Sequence, residues 1–161
     1  MGKVKFTVTH AFSEPPSRIW AAMTDWEGHG EWIPATVVHV DPGDSVTVGA
    51  TFSGRTGYGP LTLVDDMVIS VVRWNPESGE GYCEVDKLGP VLGGRAGFTL
   101  TPTATGSQVV WFEDVTVSFL PGVLSPVVSR AAGLGFSLAM KALAKLLREN
   151  PDRYASSLVE L

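Results

Sequence analysis

Residues 125–150 read SPVVSRAAGLGFSLAMKALAKLLREN, and this stretch decides the fold. Pro126 suits the first turn of a helix, and Pro151 stands where the pattern ends, so the sequence predicts one helix of about two dozen residues. Its apolar side chains recur at helical spacing and share one stripe, formed by Phe136, Met140, Leu143 and Leu147. A stripe of this length must be buried against a large apolar surface.

The strands that precede this helix supply such a surface. Residues 3–12 alternate between polar and apolar side chains, which indicates a first, half-buried strand. A short helix ending near Asp25 and a second, briefer one closed by Pro34 follow it. Turn clusters then divide the chain into six more strands, predicted at 36–41, 46–55, 61–74, 80–88, 95–103 and 107–119. Because the connections are short, neighbouring strands should pair antiparallel.

Length, charge and cysteine content limit the possible functions. The 161 residues predict one domain, 1–161, and 44% hydrophobic residues argue for a substantial core. A net charge of -5 makes a nucleic-acid partner unexpected. Cys83 is the single cysteine, so no internal disulfide can form, and a reducing cytoplasm fits best. The sequence indicates no stable membrane insertion, and the three histidines lack metal-ligand spacing, so we expect neither a metal nor a cofactor.

Several short motifs carry a family resemblance. They are SEPPSRIW at 13–20, DW at 25–26, EWIP at 31–34, VGATF at 48–52, FTLTP at 98–102 and TGSQVVW at 105–111. Together with the order of the elements, they resemble the helix-grip fold of the START-like (SRPBCC) superfamily, most closely its polyketide cyclase/dehydrase-like branch. The resemblance implies an α+β fold in which a curved, seven-stranded antiparallel sheet wraps around the long C-terminal helix, with two short helices after strand 1.

A strongly coiled sheet around a helix leaves a gap where small residues replace large ones, so we expect a cavity of the usual ligand-site size, about 300 to 1,000 Å³. The expected ligand-binding residues are Trp32, Phe52, Met67, Tyr82, Phe98, Trp111, Glu113, Phe136, Met140 and Leu143. The alternative is that the apolar members of this set fill a solid core. Tyr82 shares its face with two acids, which indicates solvent, but strand ends can cross into a lumen.

The resemblance also places two glycine-rich loops at the cavity mouth. Tyr58, Val91 and Leu92 would then be gate residues, and the alternative is that these loops are plain hairpin turns.

Glu113 is the candidate catalytic residue. Strand alternation makes it the one ionisable group on a stripe formed by Val109, Trp111, Val115, Val117 and Phe119. A carboxyl in a dry cavity has a raised pKa, which suits a general acid or base or a ligand contact. Alternatively, a twist turns it outward or it pairs with an arginine. His10 continues the stripe of the first strand and could assist, although a lone histidine there is more often structural.

Three functions follow from these residues. The preferred hypothesis is a protein that binds a hydrophobic small molecule, such as a lipid, polyketide or sterol-like compound. The second is a cofactor-independent cyclase, dehydratase or aromatase that uses Glu113 as acid or base. The third is an interaction module with an exposed apolar patch around Val127, Val128 and Leu134 and no enclosed lumen. The sequence leaves the ligand and the oligomeric state open.

Overall fold

The computed structural model describes residues 1–155. Its strands and α-helices, in chain order, are β1 (Gly2–Phe12), α1 (Pro16–Thr24), β2 (Thr36–Val40), β3 (Thr51–Thr56), β4 (Leu63–Asn75), β5 (Glu80–Leu88), β6 (Leu92–Thr103), β7 (Gly106–Val117) and α2 (Ser125–Glu149). Three short 3-10 helices lie at Glu27–Glu31, Gly59–Leu61 and Gly122–Leu124. The predicted α+β class and element order are therefore confirmed.

The seven strands form one antiparallel sheet in the order β1-β7-β6-β5-β4-β3-β2. Every connection except that from β1 to β2 is a hairpin, and the two short helices are inserted at that one crossover. β1 forms one edge of the sheet. It pairs with β7 along its whole length, from Gly2 opposite Val117 to Phe12 opposite Ser107. The inner face of this sheet carries the main core, on which α1 and α2 pack.

Several strand boundaries differ from their predictions by one to three residues, as at the start of β6, and two differences change where residues lie. Residues 46–50 form turns, and β3 begins only at Thr51. The reason is local hydrogen bonding, because Asp44 accepts from the Val46 amide and the Ala50 amide donates to Thr47. Strand β7 ends at Val117, two residues before its predicted end. Phe119 therefore lies outside the strand and is 69% exposed, whereas we predicted it on the inner stripe.

Helix α2 is buried in its C-terminal half and exposed in part of its N-terminal half. Met140, Leu143 and Leu147 are fully buried, as the predicted stripe requires. Phe6 packs against Gly133, whereas Gly135 faces open space. Residues Gly122–Glu149 have the length and mean hydropathy, 1.4, of a helix that could cross a membrane, a composition that a core helix can share.

Arg18 of α1 ties the two helices together. Its guanidinium donates to the carbonyl oxygens of Leu147 at 2.9 Å, Asn150 at 2.7 Å and Arg153 at 2.9 Å. Those at Leu147 and Asn150 belong to the end of α2, where carbonyls have no partner within the helix and the dipole favours a cation. Since Arg18 is only 9% exposed, it stabilises the end of α2 in a poorly solvated setting.

We expect Arg18→Met to lower the free energy of unfolding by about 2 to 4 kcal/mol, because three charge-assisted hydrogen bonds are lost and the carbonyls stay buried. Urea unfolding at neutral pH measures this change. Arg130→Met on the exposed side of α2 is the matched control and should change stability by less than about 0.5 kcal/mol. Equal effects of the two substitutions would contradict the assigned role of Arg18.

Candidate functional site

A cavity of about 110 Å³ lies on the inner face of the sheet, between β2–β7, the 3-10 helix Glu27–Glu31 and α2. Small residues make room for it, since Gly54 of β3 and Ala96 of β6 stand where a larger side chain would fill the space. The predicted lumen is confirmed, but the expected volume is wrong. The reason is that large aromatic side chains project into the gap and occupy most of it.

Aromatic rings form the cavity walls. Trp26 and Phe52 stack with their ring centroids 4.6 Å apart and their planes 12° from parallel. On the opposite side, Trp111 stacks with Phe136 of α2 at 5.1 Å and with Phe98 at 6.3 Å. Aromatic walls of this kind favour an apolar occupant that packs against the ring faces.

A charge cluster lies at one end of this otherwise apolar space: Lys87 of β5, Asp65 of β4 and Glu113 of β7. Lys87 forms an ion pair with Asp65, and its Nζ lies 3.9 Å from Glu113 Oε2. The side chains of Lys87 and Glu113 are 5% and 12% exposed. In the intervening strand β6, Gly94 lies opposite Lys87 and Ala96 lies opposite Glu113, and these small residues let the charges approach across β6.

The cluster leaves one carboxyl without a full counter-charge. Burial raises the pKa of Glu113, and the Asp65 carboxylate adds to this shift, while Lys87 opposes it. Burial lowers the pKa of Lys87, but the two carboxylates outweigh burial, so the net shift is upward and the ammonium persists. Lys87 and Asp65 therefore form the close ion pair of the cluster, and burial shifts the Glu113 carboxyl towards protonation.

His29 lies on the cavity wall opposite β7. Its Nε2 is 2.9 Å from the Met23 carbonyl oxygen, and its ring is surrounded by Trp26, Trp32 and Trp111. A carbonyl only accepts, so Nε2 must carry the proton and Nδ1 is left as an acceptor. Burial lowers the pKa of His29 to about 4, so the ring is neutral at physiological pH.

Two polar atoms of the cavity wall lack a hydrogen-bond partner within residues 1–155: Trp111 Nε1 and Asp65 Oδ1. The Trp111 N–H lies near Glu113 and helps to moderate the carboxyl's pKa, but it does not reach hydrogen-bond geometry. The Cys83 thiol is also on the wall, where burial raises its pKa to about 12 and keeps it protonated. It is therefore a poor nucleophile.

Six of the predicted ligand-binding residues line the cavity: Phe52, Met67, Phe98, Trp111, Glu113 and Phe136. Three others lie in the solid core instead, since Trp32 packs on His29, and Met140 and Leu143 are covered by the sheet. Tyr82 lies on the outer face, where it donates a hydrogen bond to Glu84 and stacks with Phe112. Glu84 and Asp86 share the strand face of Tyr82 and indicated that it faces solvent. The prediction that Tyr82 binds the ligand was therefore wrong.

The two candidate catalytic residues, Glu113 and His10, lie apart in the structure. Glu113 points inward, as predicted, and pairs with a lysine, whereas the alternative expected an arginine. His10 lies opposite Val109 in β7, four residues along β1 from Phe6, which is the partner of Glu113. His10 therefore cannot assist Glu113 in this geometry.

The three predicted gate residues lie in different surroundings. Leu92 is buried in a second hydrophobic cluster with Val117, and Val91 packs against that cluster, whereas Tyr58 is 78% exposed. All three lie off the cavity wall, and their role as gate residues stays a prediction.

On α2, Val127 and Leu134 are exposed, as the interaction-module hypothesis expected. That hypothesis also expected no enclosed lumen, and the cavity contradicts it.

Several cavity residues escaped sequence reasoning, among them the polar residues Lys87, Asp65 and His29. Lys87 shares the strand face of Val85 and Cys83, and an isolated lysine on an apolar face was the available signal. Asp65 was hidden because it adjoins Asp66, and alternation alone does not say which of two neighbours points inward. Within residues 1–155, no group of three or more His, Cys, Asp or Glu side chains is placed to hold a metal ion.

Comparison with known proteins covers nearly the whole chain. A family model described as "Polyketide cyclase / dehydrase and lipid transport" matches residues 3–149. No protein of curated function matches.

Similar solved structures have the same fold. Protein MLL2253 from Mesorhizobium loti is 22% identical with a TM-score of 0.62, over 91% of this chain and 98% of that one. SA2116 from Staphylococcus aureus, titled a protein of unknown function, is 11% identical with a TM-score of 0.70, over 93% and 96%. TTHA0849 from Thermus thermophilus is 15% identical with a TM-score of 0.64, over 89% and 94%. At these identities the likeness concerns the fold alone, and it bears out the helix-grip architecture.

The buried His29 predicts a pH dependence of stability. The unfolded histidine binds a proton below pH 6.5, whereas the folded one does so only below about pH 4. Between these values the unfolded state holds more protons, so the contribution of His29 is full above pH 6.5 and falls by about 3 kcal/mol as the pH drops to 4.

Urea unfolding of the wild type and His29→Gln between pH 7 and 4 measures this loss, because Gln keeps a donor for Met23 and does not titrate. The difference in the free energy of unfolding between the wild type and His29→Gln should shrink as the pH falls. His39→Gln, on an exposed strand position, is the control and should follow the wild-type curve. Parallel curves for the wild type and His29→Gln would contradict the prediction.

Proposed function

Since this chain belongs to the polyketide cyclase/dehydrase and lipid transport family, we propose that it binds a hydrophobic small molecule in the cavity between the sheet and α2. The observation that carries this proposal is the wall itself, in which stacked aromatic pairs surround a space left open by Gly54 and Ala96. A void of this kind forfeits packing contacts, and an apolar ligand restores them.

The polar groups of the cavity would orient that ligand. The Lys87 and Glu113 end offers hydrogen-bond donors, and His29 Nδ1 offers an acceptor. A few polar groups in a mostly apolar site are the usual arrangement by which proteins fix the orientation of a small ligand. The ligand is expected to place its apolar body against the aromatic wall and its polar group at the charge cluster.

Native mass spectrometry of the gently purified protein tests this function. We expect a stoichiometric apolar adduct on the wild type, and its loss from Ala96→Leu, whose larger side chain fills the cavity. Ala142→Leu on the exposed side of α2 is the matched control and should keep the adduct. An adduct that survives on folded Ala96→Leu at wild-type stoichiometry would contradict the proposal.

A second candidate function is a cofactor-independent dehydratase or cyclase. It is favoured by one observation, the carboxyl of Glu113 beside Lys87 in a poorly solvated site, where burial raises the pKa of Glu113. Such a carboxyl can donate its proton to a leaving hydroxyl, and Lys87 then stabilises the carboxylate that forms. Burial makes His29 too weak a base to share this work efficiently.

The substitution Glu113→Gln distinguishes an enzyme from a binding protein. If the protein is an enzyme, this substitution should abolish conversion of the compound recovered from the cavity and still permit its binding, because Gln keeps the shape of the side chain. Product formation is followed by chromatography, with Glu77→Gln on an exposed turn as the control. Unchanged conversion by folded Glu113→Gln would exclude Glu113 as the acid.

A further inference from the structure

One hydrogen-bond donor at the charged end of the cavity has no acceptor in the described part of the chain. Trp111 Nε1 is a donor without a partner within residues 1–155, and Trp111 is only 8% exposed. An indole nitrogen can only donate. A buried donor left unmet is unfavourable, and most such groups in folded proteins have a partner. The Trp111 N–H on this wall therefore marks a place for an acceptor atom that the chain itself does not supply.

Two polar groups of the charge cluster share the cavity wall with Trp111. Glu113 is two residues along β7 and on the same face, and burial raises the pKa of its carboxyl, towards the form that can donate a hydrogen. The Lys87 ammonium has three hydrogens, of which Asp65 accepts one. A carbonyl oxygen has two lone pairs, so it can accept from Trp111 and from one of these neighbours together.

The charge balance of the cluster argues against an anionic ligand. Lys87 is already paired with Asp65, whose unpartnered Oδ1 adds a free acceptor with negative charge to the same space. A carboxylate ligand would bring a second, uncompensated negative charge into a poorly solvated site. The occupant should be neutral, and a hydroxyl on it could donate to Asp65 Oδ1.

The size and shape of the space limit the apolar part of the ligand. About 110 Å³ is of the same order as an engineered cavity of about 150 Å³ that accepts benzene. The aromatic rings on the wall, among them Trp111 and Phe136, favour an aromatic and therefore flat molecule that packs against them. A four-ring sterol would require these side chains to move.

We propose that the ligand of this cavity is a neutral, flat compound of one ring whose carbonyl oxygen accepts a hydrogen bond from Trp111 Nε1. This inference rests on the proposed ligand-binding function and adds to it a ligand class and a specificity-determining residue.

Acetophenone and α-methylstyrene test the proposal, because they differ only in the replacement of the carbonyl oxygen by a CH₂ group. Isothermal titration calorimetry of the full chain with each compound gives the two dissociation constants. Acetophenone should bind at least about tenfold more tightly, the loss expected when a buried donor stays unpaired. Benzoate, the anionic counterpart, should bind more weakly than acetophenone.

Trp111→Phe keeps an aromatic wall and removes the donor, so the preference for acetophenone should fall to about threefold or less. Trp74→Phe is the matched control, since Trp74 stacks on Trp20 outside the cavity wall, and it should keep the preference. Should Trp111→Phe fail to fold, the wild-type indole ¹⁵N–¹H resonances decide instead. Acetophenone should shift the Trp111 resonance downfield, and α-methylstyrene should not.

Equal affinities for the two compounds, or tighter binding of benzoate, would overturn the carbonyl site and leave ligand binding intact. Binding of neither compound by a protein that carries a large apolar adduct would overturn the one-ring class alone. Binding of neither, together with no adduct on the purified wild type, would overturn the proposed function as well.

Discussion

Burial of the α2 stripe is the constraint on which the rest of this structure depends. Met140, Leu143 and Leu147 are almost completely covered, and a sheet with long strands provides the face that covers them. The sheet can enclose a helix only by curving, and a curved sheet cannot follow the helix surface closely along its whole length. The space that remains lies on the side of β2–β7, where Gly54 and Ala96 keep it open.

The charge cluster places three ionisable groups in a poorly solvated space. Lys87 and Asp65 compensate each other, but Glu113 adds a third ionisable group that burial forces towards its neutral form. Together with the unpartnered Trp111 N–H, these groups are poorly explained by packing alone. Polar groups that a fold does not need are expected where a ligand or a reaction needs them.

Strand alternation predicted the inner face of β7 well, and Trp111 and Glu113 both lie in the cavity as expected. It failed where backbone geometry departs from a regular strand, as at residues 46–50 and beyond Val117, where Phe119 turns outward. It also could not separate the cavity wall from the solid core. Met140 and Leu143 share the α2 stripe with Phe136, yet only Phe136 reaches the cavity, because the position along the helix axis decides what each residue meets.

The sequence by itself determined the element order, the antiparallel pairing, the helix that the sheet must cover and the presence of an acidic group on an inner strand face. These properties depend on side-chain period and turn chemistry, which act over a few residues. Only the tertiary structure decided that Lys87, Asp65 and Glu113 meet, since they come from β5, β4 and β7. Their association depends on strand register and on the small residues Gly94 and Ala96 of the intervening β6, and both are set by pairings between residues that are distant in the chain.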